Sequence, residues 1–286
     1  MDRSIGAITF RKKSALQRLP RFPGRARLVA AIWRVLPFLK AEASLRVSPS
    51  HTFLLDSTYP THVATILDQG NERDEIQVLT SLLRPGDVFM DIGANWGMFS
   101  IVAAHVVGPE GRVISVEGNA AAFRHLIETR DKAHIPNVLA LHYAISNVSG
   151  NPSAVQPGFL RMDTGGHLKP SVHGVVSITL DDLHRLIGKP RIALLKMDIE
   201  GAEPLALESG TQTLSATEFV LIEVSDYTVR FGRSRNDVYS AMQRAGFRYS
   251  WFYSGNKRTD DDPRPAANVL FGRAPSPELP PPVLLS

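Results

Sequence analysis

The stretch Pro85-Gly86-Asp87-Val88-Phe89-Met90-Asp91-Ile92-Gly93-Ala94-Asn95-Trp96-Gly97-Met98-Phe99-Ser100 decides the fold of this chain. Residues 88–91 are a short apolar run ending on a carboxylate, and residues 97–107 carry a helical pattern, so a glycine turn joins a strand to a helix. Gly93 and Gly97 permit torsions that other residues resist and let a ligand approach the backbone. Charge narrows the ligand. A dinucleotide would set its pyrophosphate at the helix N-terminus, where the Asp91 carboxylate is a poor neighbour. A ligand carrying an ammonium and a sulfonium would be favoured there. Glu117, 26 residues after Asp91 at the end of the next strand, is placed to accept hydrogen bonds from a ribose diol. Together these acids favour S-adenosylmethionine over NAD, and no Gly-Lys-Ser/Thr follows the turn to make it a P-loop.

Outward from the turn, β-rich runs at 88–91, 112–117, 138–143, 192–198 and 219–224 alternate with helical patterns at 97–107, 120–134, 180–187 and 204–214. This alternation predicts an α/β fold, a Rossmann-like and mostly parallel seven-stranded sheet with helices on both faces. Runs at 247–254 and 267–273 follow with no helix between them and predict a terminal antiparallel strand pair. Thr179 with Asp182 reads as a capping box, and Gly188 closes the same helix. In such a sheet ligands sit beyond the carboxyl ends of the strands, where this chain places Asp91, Glu117, Asp198 and Glu223.

Several stretches then carry a family resemblance in order. They are 85–97, Val116-Glu117, Ala144-Ile145-Ser146 followed by Gly150, Leu195-Lys196-Met197-Asp198-Ile199-Glu200-Gly201-Ala202-Glu203, and Ile222-Glu223-Val224. On these residues the chain, roughly from Gly70 to Phe247, resembles the FkbM-type methyltransferases, whose members look like class I S-adenosylmethionine-dependent O-methyltransferases. It departs from the pattern at Gly118, where the family usually has proline, and at Asn71, where an aromatic residue tends to precede Glu72. The resemblance implies methyl transfer to a hydroxyl of a sugar or of a glycosylated or polyketide-like acceptor. It also implies a cofactor site made by Glu72, Asp91, Gly93, Ala94, Asn95, Gly97, Ser100, Glu117, Gly118 and Ala144.

An aliphatic hydroxyl is a weak nucleophile until its proton leaves, and a positioned base typically contributes about 10²–10⁴-fold. Asp198, ending the fourth strand across from the glycine turn, is the expected base or acceptor-orienting group, with Glu200 as the alternate. Glu203 beside Pro204 begins a helix, where a carboxylate is favoured for structural reasons alone. Asp198 and Glu223 could together hold Mg²⁺, but the metal-free arrangement is preferred, and the nine histidines show no tight ligand spacing. His167 and His173 lie in the segment 157–174, expected to be a loop over the cleft. Arg230, Arg233 and Arg235 suit a solvated loop or an acidic sugar.

Composition bounds the rest. A chain of 286 residues, 43% apolar and 21% charged, is neither disordered throughout nor membrane-embedded. Without cysteine it has no disulfide, thiolate metal site or cysteine nucleophile, in keeping with a cytoplasmic protein. Residues 1–46 hold eleven Lys and Arg against Asp2 and Glu42, a net +9 that leaves −5 for the remainder. Residues 1–50 are therefore a basic N-terminal arm, and Leu28, Ile32, Val35, Leu36 and Leu39 recur in it at helical spacing. Peripheral contact with an anionic membrane is one expectation for this arm, with a plain solvated tail as the equal alternative and nucleic acid as the competing partner. Base-amine methylation, however, prefers Asn or Asp followed by Pro-Pro and an aromatic, and this chain has Asp198-Ile199-Glu200-Gly201. Trp33 and two phenylalanines also make a thin stacking platform for bases. A cofactor-binding module without catalysis is disfavoured by acids on both sides of the cleft. No run reaches the roughly 18 apolar residues of a membrane span, and no cleavable signal is expected. Residues 51–274 are assigned to the methyltransferase domain. Residues 275–286, with five prolines, are assigned to a disordered tail. Nothing in the sequence reports the oligomeric state.

Overall fold

The computed structural model describes residues 8–20, 25–39, 41–47, 52–55, 63, 66–67, 73–132, 134–150, 160–162, 168–170, 175–253, 266–277 and 279–285. The chain opens with β1 (Ile8–Lys12), α1 (Arg25–Val35), β2 (Glu42–Arg46) and β3 (Thr52–Leu55). There follow α2 (Arg73–Leu82), β4 (Val88–Ile92), α3 (Met98–Val107), β5 (Arg112–Val116), α4 (Ala120–Lys132), β6 (Val138–Leu141) and β7 (Ala144–Ile145). Next come β8 (Leu160–Met162), β9 (Leu168–Pro170), β10 (Ser177–Ile178), α5 (Leu180–Leu186), β11 (Ile192–Met197), α6 (Glu203–Glu208) and α7 (Thr211–Ser215). The chain closes with β12 (Thr217–Ser225), α8 (Arg235–Arg244), β13 (Tyr249–Tyr253), β14 (Ala266–Gly272) and β15 (Val283–Leu284).

The main sheet has the order β15-β13-β14-β12-β11-β4-β5-β6. Strands β6, β5, β4, β11 and β12 run parallel, and β14 is antiparallel to both β12 and β13. The seven expected strands are all present, and strand order reverses between β4 and β11, which opens a crevice above their carboxyl ends. Parallel strands covered on both faces must be apolar on both. Phe89, Val113, Leu194, Leu221 and Leu270 accordingly pack with Ile76 and Leu79 of α2 and Ile101 and Val102 of α3. Met90, Ile114, Leu195, Ile222 and Val269 pack on the other face with Leu183, Leu214, Val238 and Met242.

Local signals hold at Thr179, whose Oγ1 accepts from Asp182 N at 3.1 Å and caps α5. The helix expected over 204–214 is instead two, α6 and α7. Ser209 ends the first, its Oγ turning back to Ala206 O at 2.8 Å and across to Ser146 O at 3.0 Å.

Two domain assignments are corrected. Strands β1, β2 and β3 form one antiparallel sheet that crosses the boundary drawn at residue 50. Val29, Trp33 and Leu45 are wholly buried in the same core cluster as Phe89 and Val102, so the basic segment is built into the domain. The segment 275–286 likewise contributes β15, which pairs antiparallel with β13. Prolines cannot donate to a ladder, but an edge strand needs donors on one side only. Leu285 N supplies one to Arg248 O at 2.9 Å, and Pro280 O accepts from Trp251 Nε1 at 2.6 Å. Among the described residues no helix is long and apolar enough to cross a membrane.

Candidate active site

Strand alternation and register decide which acids meet. Asp91 on β4 is the register partner of Ser115 on β5 and of Lys196 on β11, so these three share the face covered by α2 and α3. Continuing the same registers two residues on, Glu117, Gly93, Asp198, Glu223 and Asn268 form a row across the carboxyl ends. Two contacts fix the middle of that row: Asp198 N donates to Ile92 O at 3.0 Å, and Glu223 faces Asn268 directly.

The glycine turn forms one half. Gly93 N and Ala94 N both donate to Val116 O, at 2.9 and 3.0 Å. Gly93 has φ +81°, and a Cβ there would stand 1.9 Å from the Asp198 carbonyl oxygen. Its missing side chain thus serves the approach of Asp198, a need the sequence had attributed to a ligand. Gly97 is the N-cap of α3. Asn95 N donates to Glu117 Oε2 at 2.8 Å, and Asn119 N donates to Oε1 at 2.6 Å. Burial lifts the Glu117 carboxyl above its usual range, and these two N–H groups oppose the rise. Glu117 remains half-exposed, with lone pairs left for a diol.

Asp91 is wholly buried. Its Oδ2 accepts from Ser100 Oγ at 2.6 Å, and Ser100 Oγ accepts in turn from Ser115 Oγ at 2.7 Å. Ser100 therefore stands behind Asp91 and orients it. Among the described residues Asp91 Oδ1 has no hydrogen-bond partner. Burial raises this carboxyl too, against the Lys196 charge and the Ser100 hydroxyl. Gly118 O lies 3.2 Å from His142 Nε2, and Ala144 is buried on β7 beside β10. Glu72, His167 and His173 lie outside the described residues.

The other half follows β11. Lys196 Nζ is 3.2 Å from Asp198 Oδ2 and lies 4.6 Å above the Phe99 ring centroid. The Lys196 side chain is buried, whereas that of Asp198 is 38% exposed. Glu200 adopts a left-handed φ of +58°. Gly201 follows at φ +103°, where a Cβ would come within 2.5 Å of the Tyr227 carbonyl. Glu203 is wholly buried and laces this loop, its Oε1 accepting from Ile199 N at 2.8 Å and Gly201 N at 3.3 Å. Burial pushes Glu203 up to about 7. Glu223 reaches about 8 through burial and then the charges of Asp198, Glu200 and Glu203. Burial and Asp198 raise Glu200 as well, with Arg230 opposing.

Three residues in or beside the row escaped the sequence reading. Lys196 had a signal, a cation inside an apolar strand. Glu75 of α2 and Asn268 of β14 had none, because they lie 193 positions apart and meet only through Asn268 Nδ2 donating to Glu75 Oε1 at 2.7 Å. Arg233 and Arg235 have local partners in Glu208 and Asp226, and Arg230 stacks 4.3 Å over the Tyr227 ring.

Comparison with known proteins identifies the family. The family model described as "Methyltransferase FkbM domain" matches residues 91–249, more than half of the chain. The chain is similar to hexuronic acid methyltransferase AglP of Haloferax volcanii, with 28% identity over 164 residues covering 56% of this chain and 64% of that protein. The match thus spans a little under two thirds of that relative's length. Among solved structures, Methyltransferase FkbM from Methylobacillus flagellatus is similar at 16% identity and TM-score 0.46, covering 75% of this chain and 54% of that one. Aeropyrum pernix fibrillarin is similar at 11% identity and TM-score 0.45, covering 82% and 90%. The strand order itself carries the architecture. The unpartnered buried Asp91 Oδ1 and the half-exposed Glu117 suit the ammonium and ribose of S-adenosylmethionine.

Proposed function

This chain belongs to the FkbM family of S-adenosylmethionine-dependent methyltransferases, and we propose that it methylates a sugar hydroxyl in a glycan or glycosylated acceptor. The observation that carries the proposal is the position of Asp198 in the row, between the Gly93 turn and Glu223. Similarity to a hexuronic acid methyltransferase supports a carbohydrate acceptor. Bound, S-adenosylmethionine supplies a methyl group on sulfonium, open to in-line displacement. Asp91, oriented by Ser100, and Glu117, oriented by Asn95 and Asn119, would hold the cofactor, together with Gly93, Ala94 and Gly97 of the turn. Lys196 fixes Oδ2 of Asp198, leaving the other carboxylate oxygen to accept the acceptor's hydroxyl proton. Glu200 is the alternate base, and Glu203 holds the loop that presents both. Glu223, protonated near neutral pH, donates a hydrogen bond to an acceptor oxygen.

The test is transfer of radiolabelled methyl from S-adenosylmethionine to a panel of neutral and acidic oligosaccharides. The expected product carries label that mild alkali does not remove, as befits an ether. Alkali-released label would mean a methyl ester on a carboxylate that is already nucleophilic, and Asp198 would lose its role as base. Intact cofactor binding with no sugar labelled would reject the carbohydrate acceptor.

A further inference from the structure

Helix α1 has one face in the core and a second apolar face turned outward. Val29, Ala30 and Trp33 are buried, whereas Leu28 is 48%, Val35 77% and Phe38 68% exposed. Leu28, Ala31 and Val35 are spaced by three and four residues and form one stripe along α1, which Leu36 and Phe38 continue past its end. Lys12 Nζ donates to Phe38 O at 2.6 Å, so the basic end of β1 adjoins the end of the stripe. Arg11, Lys12, Lys13, Arg18 and Arg34 are all exposed, and among the described residues before residue 48 the only acid is Glu42. Trp33 Nε1 donates to Ser14 Oγ at 3.3 Å and Arg25 to Gln17 O at 2.9 Å, which locks α1 to the segment bearing these cations. Stripe and charges therefore belong to one folded unit, with Lys12 beside the end of the stripe.

We infer that this surface docks on an anionic lipid bilayer, with the Leu28, Val35 and Phe38 stripe entering the headgroup boundary and the five cations meeting lipid phosphates. Charge complementarity selects this partner. A second copy of the chain would bring like charges together, and RNA bases would find only Phe38 to stack on in an otherwise aliphatic stripe. The stripe lies on α1 and the segment after it, which contribute no residue to the polar row, so vesicle binding and methyl transfer are read independently.

Co-sedimentation of the whole 286-residue chain with vesicles tests the inference. Phosphatidylcholine vesicles should not retain it, and vesicles with about one third phosphatidylglycerol should. Raising salt from about 0.05 to 0.5 M should weaken retention about tenfold or more. The double variant Val35→Asp, Phe38→Asp should weaken it about tenfold, and Lys12→Glu, Lys13→Glu about fivefold or more, both with unchanged circular dichroism and S-adenosylmethionine affinity. Absence of wild-type retention, or equal retention of wild type and the apolar double variant, overturns the inference. So does a dimer that Val35→Asp, Phe38→Asp dissociates in the absence of vesicle binding, which gives the face to a second copy. Binding to RNA with none to vesicles gives it to nucleic acid and overturns the inference as well.

Discussion

On the β5 side of the polar row each acid is met by a fixed donor, whereas on the β12 side Asp198 and Glu203 have such donors and Glu200 and Glu223 are set among other acids. Glu117 takes two backbone N–H groups, and Asp91 takes a serine hydroxyl that is itself held by a second serine. Asp198, Glu200, Glu203 and Glu223 share one neighbourhood, in which Lys196 is paired with Asp198 and Arg230 faces Glu200. Donors fixed in advance suit a ligand that is always the same. Burial and mutual charge raise Glu200, Glu203 and Glu223, and under the proposed function such a crowd suits a site where a proton is taken and returned. Under the proposed function the two halves divide the work into holding and proton handling, joined at the contact of Gly93 with Asp198.

The sharpest way to break this division is Asp198→Asn. Turnover should fall by about 10²–10⁴-fold while calorimetry returns an unchanged S-adenosylmethionine affinity; equal loss of both would merge the halves. Gly93→Ala attacks the joint itself. A methyl placed 1.9 Å from the Asp198 carbonyl oxygen, at positive φ, must displace backbone. The cost should be about 3 kcal/mol or more, a fall in Tm of about 10 °C by calorimetry. Glu117→Ala should weaken cofactor binding about tenfold and leave a single cooperative unfolding transition, and unchanged affinity would remove Glu117 from the holding half.

The smallest effect is a pH dependence. Glu203 and Glu223 bind protons more tightly in the folded chain, at about 7 and about 8 against an ordinary 4.5, so the folded state holds more protons than the unfolded one across that window. Their contribution to stability is therefore fully present below the ordinary carboxylate value and is lost as pH rises through about 7 and about 8. Glu203→Gln keeps an oxygen for Ile199 N and Gly201 N but has no proton to lose. Its Tm should decline less steeply and exceed that of the wild type by about 2–4 °C at alkaline pH. A wild-type Tm that rises between pH 5 and 8 would contradict the raised affinities.

Much of the fold was legible because buried parallel strands are apolar on both faces. The runs at 88–91, 112–117 and 192–198 lie within one residue of β4, β5 and β11. Residues 219–224 fall inside the longer β12, whose first residues, Thr217 and Glu218, lack that apolar signature. Helices α2 and α8 and strands β1 and β2 went unread, since their apolar faces are interrupted by charged side chains. In the site, Asp91, Glu117, Asp198 and Glu223 were readable as acids ending strands. That Ser100 supports Asp91 from behind, and that Glu203 is a buried lace for its loop, depends on where side chains point.

By itself the sequence determined the order of the seven strands it predicted, the glycine turn, the acids at the strand ends and the charge imbalance of the first 46 residues, all of which are local in the chain. Tertiary structure alone decided the company those residues keep. Register brought Asp91 beside Lys196, packing set Gly93 against Asp198, and Asn268 closed on Glu75 across 193 positions. It also chose which stripe of α1 entered the core and left the other with its cations outside. The physical reason is the same in each case: hydrogen bonding and burial act through distance in space, and for these pairs separation along the chain says nothing about that distance.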